Sequence, residues 1–216
     1  MPRINLGKLW LFLPALALSG CGTAPVASSP ATVSPAAIAP AATTPTPAAK
    51  NYYVYFGTHN VGANRGFSLA YFNADTGELT PPQFLLQADG PAYFVIHPDG
   101  RHLYTCNTIG STTEGRVSAY AIDPKTGALT FINSQPSGGA DPSYISLDKT
   151  GRFALVANYD GSDVIVLPIR PDGSLGDRTA FDKHTGTSVT PDRKQQSYAH
   201  SIIVDPTNHY ALSADL

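Results

Sequence analysis

Residues 91–107 read PAYFVIHPDGRHLYTCN, and residues 142–158 read PSYISLDKTGRFALVAN. In both stretches a proline, a Gly-Arg pair and a final asparagine recur at a fixed offset of 51. Residues 199–215, AHSIIVDPTNHYALSAD, match the second copy at an offset of 57. A repeat of about 50 residues therefore organises the chain from residue 51 onward.

The other half of each unit is marked by a repeated turn: DTGEL at 75–79, KTGAL at 125–129 and PDGSL at 171–175. Short β-branched and aromatic runs separate these turns, which is typical of strands joined in antiparallel hairpins. No segment keeps an apolar period of 3.6 over three turns, which excludes helical repeats. Four strands in about 50 residues indicate a β-propeller blade. The prediction is an all-β propeller with about three blades and the start of a fourth.

The first 21 residues are typical of an export signal. Arg3 and Lys8 precede an apolar run at residues 9–18, and LSGC follows at 18–21. The run is half the length of a membrane-spanning helix, which needs roughly 20 apolar residues, and it contains a proline. The LSGC sequence resembles the lipobox of bacterial lipoproteins. That resemblance implies that Cys21 is lipidated and anchors the chain in the cell envelope, and Gly22 implies the outer membrane if the source is Gram-negative.

Composition divides the rest of the chain in two. Residues 22–50 are almost entirely Ala, Pro, Ser, Thr, Val and Gly, so we expect a disordered linker. Residues 51–216 contain all 16 acidic residues and 11 of the 14 basic ones, a formal charge of 11 − 16 = −5. An acidic body excludes nucleic acid as the main partner, because phosphate neutralisation requires clustered Lys and Arg.

Several stretches of the body resemble one enzyme family. They are residues 142–153, the PSGG at 136–139, ALVANYDGSDVIVLPI at 154–169, DGSLG at 172–176 and the block from 184 to 201. Together they look like the seven-bladed propeller lactonases, which include 6-phosphogluconolactonase and the 3-carboxy-cis,cis-muconate lactonising enzymes. The resemblance implies an exported lactonase that hydrolyses a sugar-acid lactone without a cofactor or metal.

Chain length qualifies that expectation, because seven such blades would need about 340 residues. We therefore expect this chain to be the N-terminal half of a longer protein that is monomeric when complete. An arc of blades leaves end faces uncovered, with apolar runs such as residues 153–159 available to other chains. The chain as written is expected to be inactive.

His200 is the main catalytic candidate, because it breaks the repeat. Ala92 and Ser143 occupy the same repeat position in the earlier units, just before the predicted innermost strand. Such positions ring the mouth of a propeller channel, where side chains from different blades converge. A histidine there can act as a general base or proton donor near neutral pH, or serve as a hydrogen-bonded structural residue.

The segment before His200 supplies the other candidates. Arg193 lies in TPDRKQ at 190–195, which resembles the family's Asn-Pro-x-Arg-Gln element, and its guanidinium can bind a phosphate or carboxylate. His184 and Gln195 belong to the same loop and are expected to fix it or to contact substrate. The family usually reads Pro-His-Ala-His-Ser where this chain has Ser-Tyr-Ala-His-Ser, so Tyr198 replaces the first histidine. That replacement leaves a second interpretation open: a non-catalytic envelope propeller that binds a ligand or partner.

The remaining polar residues are expected to be structural. One repeat position holds Asn107, Asn158 and Asp215, which favours turn-stabilising hydrogen bonds over a calcium site. Cys106 is expected to be a small buried apolar residue in a strand. Four histidines are expected to be scattered and solvated: His59, His97, His102 and His209.

Overall fold

The computed structural model describes residues 51–58, 65–108, 114–187 and 196–216. Within these ranges every long regular element is a β-strand. The strands are β1 (Asn51–Thr58), β2 (Gly66–Asn73), β3 (Gln83–Gln87), β4 (Pro91–Ile96), β5 (His102–Asn107), β6 (Glu114–Ile122), β7 (Leu129–Ala140), β8 (Pro142–Leu147), β9 (Phe153–Asn158), β10 (Asp163–Pro168), β11 (Ala180–Lys183), β12 (Ala199–Val204) and β13 (Ala211–Asp215). Across the part of the chain described, no helix is long and apolar enough to cross a membrane.

The strands form four antiparallel sheets in chain order, as the repeat predicts. They are β1-β2-β3, β4-β5-β6-β7, β8-β9-β10-β11 and β12-β13, called blades 1 to 4 below. The DTGEL turn lies between β2 and β3, and the matching turns of blades 2 and 3 lie between their third and fourth strands. Blade 1 therefore consists of the second to fourth strands of a unit, and blade 4 of the first two. The predicted three blades with the start of a fourth are confirmed.

Among the described residues, three apolar clusters form the core, one at each junction between neighbouring blades. The largest joins blades 2 and 3 and includes Tyr104, Val117, Ile145 and Val156. Strands buried on both faces read as continuous apolar runs, which explains sequences such as FALVAN in β9. Cys106 is buried in this cluster as predicted, and burial raises the pKa of its thiol.

One expectation about exposed surface is wrong. Residues 154–158 of β9 are buried, because blade 4 covers that face of blade 3 with Ala199 and Ile202. The large exposed apolar side chains at the two ends of the arc belong instead to blades 1 and 4. They include Tyr52 and Tyr71 in blade 1, and Ile203, Tyr210 and Leu212 in blade 4.

A repeated tyrosine bond joins successive blades. The Tyr55 hydroxyl of blade 1 donates to the Gly127 carbonyl of blade 2 at 2.8 Å, and the Tyr104 hydroxyl of blade 2 donates to the Gly173 carbonyl of blade 3 at 3.0 Å. Burial raises the pKa of Tyr55 to about 12. Both acceptor glycines have positive φ (71° and 81°), a conformation that favours glycine at this turn position. The same contact thus fixes the spacing of blades 1, 2 and 3.

Candidate active site

The innermost strands β4, β8 and β12 share an irregularity at their first residues. Strand pairing shifts between the first and third residue of each, so the second residue is bulged out of the ladder. His200 is that second residue in β12, with Ala92 and Ser143 at the same place in β4 and β8. The residue lies inside its strand, not before it as predicted. Bulges often redirect a side chain beside an active site. We call the end of the blades where these strands begin the mouth.

His200 contacts one of a pair of tyrosines that pack together at the mouth. The imidazole is exposed and lies edge-on to Tyr159, with ring centroids 5.6 Å apart. Tyr159 in turn packs on Tyr198 at 4.8 Å. The structure therefore brings His200 and Tyr198, two of the predicted site residues, into one cluster on a strand edge of blade 4.

Asp215 links this cluster to His184. One carboxylate oxygen lies 2.7 Å from Nδ1 of His184, and the other accepts the Tyr198 N–H at 2.6 Å. The His184 N–H donates to the Ser162 carbonyl at 2.8 Å, so backbone and side chain both hold this residue in place. A carboxylate on Nδ1 fixes the imidazole tautomer and stabilises the protonated ring, leaving Nε2 for proton transfer. His184 is thus better placed for chemistry than its predicted loop-fixing role implied.

The repeat position of Asp215 has the structural role predicted for it. In blade 2 the Asn107 side-chain amide donates to the Asp89 carbonyl at 2.6 Å, and in blade 3 Asn158 donates to the Ser137 carbonyl at 2.9 Å. Each bond ties the end of the second strand to the segment that precedes the first. In blade 4 the carboxylate of Asp215 replaces the amide. The corresponding bond therefore runs in the opposite direction, with Asp215 accepting the Tyr198 N–H. The change from Asn to Asp at this position was the sequence signal for the pair with His184.

Sequence reasoning missed Asp163. It is 3% exposed, and its carboxylate accepts a 2.6 Å hydrogen bond from Nδ2 of Asn158. Burial raises its pKa, although the Asn158 bond and the charges of Lys183 and Arg178 act in the opposite direction. Arg116 occupies the same place in blade 2, paired with Asn107 as Asp163 is with Asn158. That Arg-to-Asp difference between repeats could have identified it.

Comparisons with known proteins identify the family. The family model described as "Lactonase, 7-bladed beta-propeller" matches residues 53–216. The chain belongs to this family. It is 30% identical over 165 residues to the 6-phosphogluconolactonase of Bacillus subtilis (strain 168), covering 76% of this chain and 46% of that protein. It is 28% identical to the Formosa agariphila 6-phosphogluconolactonase over 154 residues, covering 70% and 43%.

Among solved structures, the Pseudomonas aeruginosa periplasmic gluconolactonase superposes with a TM-score of 0.71 at 30% identity, over 77% of this chain and 48% of that one. The chain thus spans less than half the length of these relatives. Arg193, Gln195, Cys21 and His59 lie outside the described residues, so their predicted roles stay predictions.

Proposed function

We propose that the full-length protein is an exported lactonase that hydrolyses the ring ester of a sugar-acid lactone. Membership of the lactonase family supports this proposal. One structural observation indicates which residues take part in the reaction. The His184–Asp215 pair and His200 are joined through Tyr198 and Tyr159 at the mouth of the blades. Two imidazoles connected in this way supply two groups for a reaction with two proton transfers.

Lactone hydrolysis requires removal of a proton from the attacking water and delivery of a proton to the ring oxygen as it leaves. We assign the first transfer to His200, whose exposed ring is open to water. We assign the second to His184, because Asp215 stabilises the imidazolium that must form before donation. Tyr198 and Gln195 contact the substrate in this proposal, and Arg193 binds the carboxylate that forms when the ring ester opens, with two parallel hydrogen bonds.

The lactone without a phosphate is the proposed substrate. Export separates the protein from phosphorylated sugar intermediates, and the Pseudomonas aeruginosa relative is described as a periplasmic gluconolactonase. A direct test compares δ-gluconolactone with its 6-phosphorylated form, using the full-length protein and subtracting buffer hydrolysis. We expect a higher kcat/KM for the unphosphorylated lactone. A preference for the phosphorylated form would contradict this assignment, and saturable binding without hydrolysis would favour the non-catalytic propeller.

The role of His200 has its own test. We expect His200→Ala to lower kcat by about 10²-fold, the usual scale for loss of an acid–base group. His209→Ala is the matched control, because His209 is exposed in the loop at the other end of the same blade. Activity of His200→Ala within a factor of two of wild type would remove His200 from the mechanism.

We also propose that the protein is held at the cell envelope by acyl chains on Cys21. The LSGC sequence and its preceding apolar run support this localisation. Metabolic labelling with a palmitate analogue is expected to tag the wild-type protein, and Cys21→Ser is expected to abolish the tag. The buried Cys106 provides the control, because Cys106→Ala should label like wild type. Equal labelling of Cys21→Ser would rule out this anchor.

A further inference from the structure

The loop between the first and second strands of blade 2 differs chemically from its counterparts. Blade 3 has DKTGRF at residues 148–153, blade 4 has DPTNHY at 205–210, and blade 2 has HPDGRH at 97–102. The backbone is the same in all three, since the first residue's N–H donates to the carbonyl of the sixth at 2.8–3.0 Å. Blade 2 therefore carries different side chains at three positions of one unchanged turn. His97 lies where blades 3 and 4 have Asp, Asp99 where they have Thr, and His102 where they have Phe or Tyr.

In blade 3 the first aspartate stabilises the turn. Asp148 accepts the Arg152 and Phe153 N–H groups at 2.8 and 2.9 Å, and that of Thr150 at 3.1 Å. In blade 2 Asp99 takes over part of this work by accepting the Arg101 N–H at 2.7 Å. The turn requires neither histidine at the sixth position nor an imidazole at the first, so turn formation alone leaves both histidines unexplained.

The three changed side chains converge. Nδ1 of His97 lies 3.0 Å from Oδ1 of Asp99, and Nδ1 of His102 lies 2.7 Å from Oδ2 of the same carboxylate. The side chains are 17%, 34% and 18% exposed. These histidines were expected to be scattered and solvated, and that expectation is wrong. They form one cluster at the junction with blade 3, where the His102 ring packs against Gly173.

The hydrogen bonding of His97 points to a cation in this cluster. Nε2 lies 2.9 Å from the Gly151 carbonyl of blade 3, and a carbonyl only accepts, so Nε2 carries the hydrogen. Nδ1 of the neutral ring is then an acceptor that faces a carboxylate oxygen at 3.0 Å. The Asp99 N–H approaches Nδ1 at 3.2 Å, at the long limit of such bonds. A cation between the carboxylate oxygen and Nδ1, whether a proton or a metal ion, would make this contact favourable.

We propose that His97, Asp99 and His102 bind a divalent transition metal of the Zn²⁺ class. Two imidazole nitrogens and a carboxylate suit this class, with water as the fourth ligand. In a tetrahedral site with bonds of about 2.0–2.1 Å, neighbouring ligand atoms lie about 3.3 Å apart. The two histidine–carboxylate distances are 3.0 and 2.7 Å, and the ligand atoms of all three residues lie within 4.8 Å of one another, so metal binding requires adjustment of these side chains but no change of the turn. The bond from His97 Nε2 to the Gly151 carbonyl is the usual support of a metal-binding histidine. Through it the metal would connect the loops of blades 2 and 3.

The test uses full-length protein purified without a polyhistidine tag and treated with a chelator. Calorimetric titration with Zn²⁺ measures affinity, and Co²⁺ absorption reports tetrahedral coordination. His102→Phe and Asp99→Thr install the residues that blade 3 carries at these positions, so the turn is retained. We expect each substitution to raise the Kd for Zn²⁺ at least tenfold and to abolish the tetrahedral Co²⁺ spectrum, with His209→Gln unchanged.

Two results would overturn the proposal. One is a Zn²⁺ affinity in wild type no higher than in His102→Phe. The other comes from ¹⁵N NMR of the wild-type ring, which remains informative if a variant does not fold. If both His97 nitrogens carry protons without metal and stay protonated with excess Zn²⁺, the cation in the cluster is a proton. Loss of the Nδ1 proton signal on Zn²⁺ addition supports the metal site. Neither readout depends on lactonase activity.

Discussion

The two ends of the blades differ in what the repeat preserves. At the end opposite the mouth, blades 3 and 4 use the same aspartate for the same hydrogen bonds: Asp148 and Asp205 each accept the third, fifth and sixth N–H groups of the loop. At the mouth, equivalent positions carry unlike side chains, as His200 does where Ser143 lies in blade 3. Repetition therefore reports the fold, and departures from it identify candidate chemistry.

The first loop of blade 2 shows that departures from the repeat are not confined to the mouth. It lies at the end where the other loops agree, yet three of its six positions differ. Its backbone is nevertheless that of blades 3 and 4. A shared backbone with new side chains is the same signature that His200 and Asp215 show at the mouth.

The largest expected effect tests the mouth. We expect Asp215→Asn to lower kcat of the full-length protein on δ-gluconolactone by about 10²-fold, because the amide would no longer stabilise the His184 imidazolium. Asn retains an acceptor for the Tyr198 N–H, and it is the native residue at this position in blades 2 and 3, so the fold should persist. Unchanged kcat in Asp215→Asn would reduce Asp215 to the structural tie found in the other blades.

A smaller effect tests the opposite end. We expect Asp148→Ala to lower the free energy of unfolding by about 2 kcal/mol, because it leaves several loop N–H groups without their charged acceptor and removes the bond from Asn208 of blade 4. Chemical denaturation measures this change. Asp205→Ala is the matched variant, and its more exposed turn should lose less. Equal losses in the two variants would show that the link between blades contributes nothing.

The sign of the pH dependence follows for Asp148. Burial acts to raise its pKa, but the bonds from Thr150 and the Phe153 N–H outweigh that effect, so the pKa is lowered. Its contribution is therefore fully present above the ordinary aspartate pKa of about 4 and disappears as pH falls through the lower folded value. The stability difference between wild type and Asp148→Ala should narrow accordingly in acid.

Repetition made the blades predictable, because turns such as PDGSL and the apolar strands reappear at a nearly fixed offset. It also identifies His200 as a departure from the pattern, at the strand position where Ala92 and Ser143 lie in the other blades. The His184–Asp215 pair was less accessible, because the two residues lie 31 positions apart in different blades. Repeat position alone does not state which side chains of adjacent blades touch. The cluster of His97 and His102 is apparent in the sequence only when HPDGRH is aligned with DKTGRF and DPTNHY, because a single histidine in a turn predicts a solvated side chain.

The smallest expected effect concerns Asp163, another position where one blade departs from the repeat, since blade 2 has Arg116 there. Burial raises its pKa above the ordinary value, so the folded protein holds this proton to higher pH than the unfolded chain does. Stability must then fall as pH rises from about 4 through the folded pKa. An asparagine in its place would keep the acceptor for Asn158 without the charge. We expect Asp163→Asn to raise the melting temperature by roughly 2 °C at pH 7 and to leave it unchanged near pH 4. A lower melting temperature at pH 7 would mean that attraction to Lys183 and Arg178 exceeds the cost of burial, and that blade 3 keeps this carboxylate for its charge.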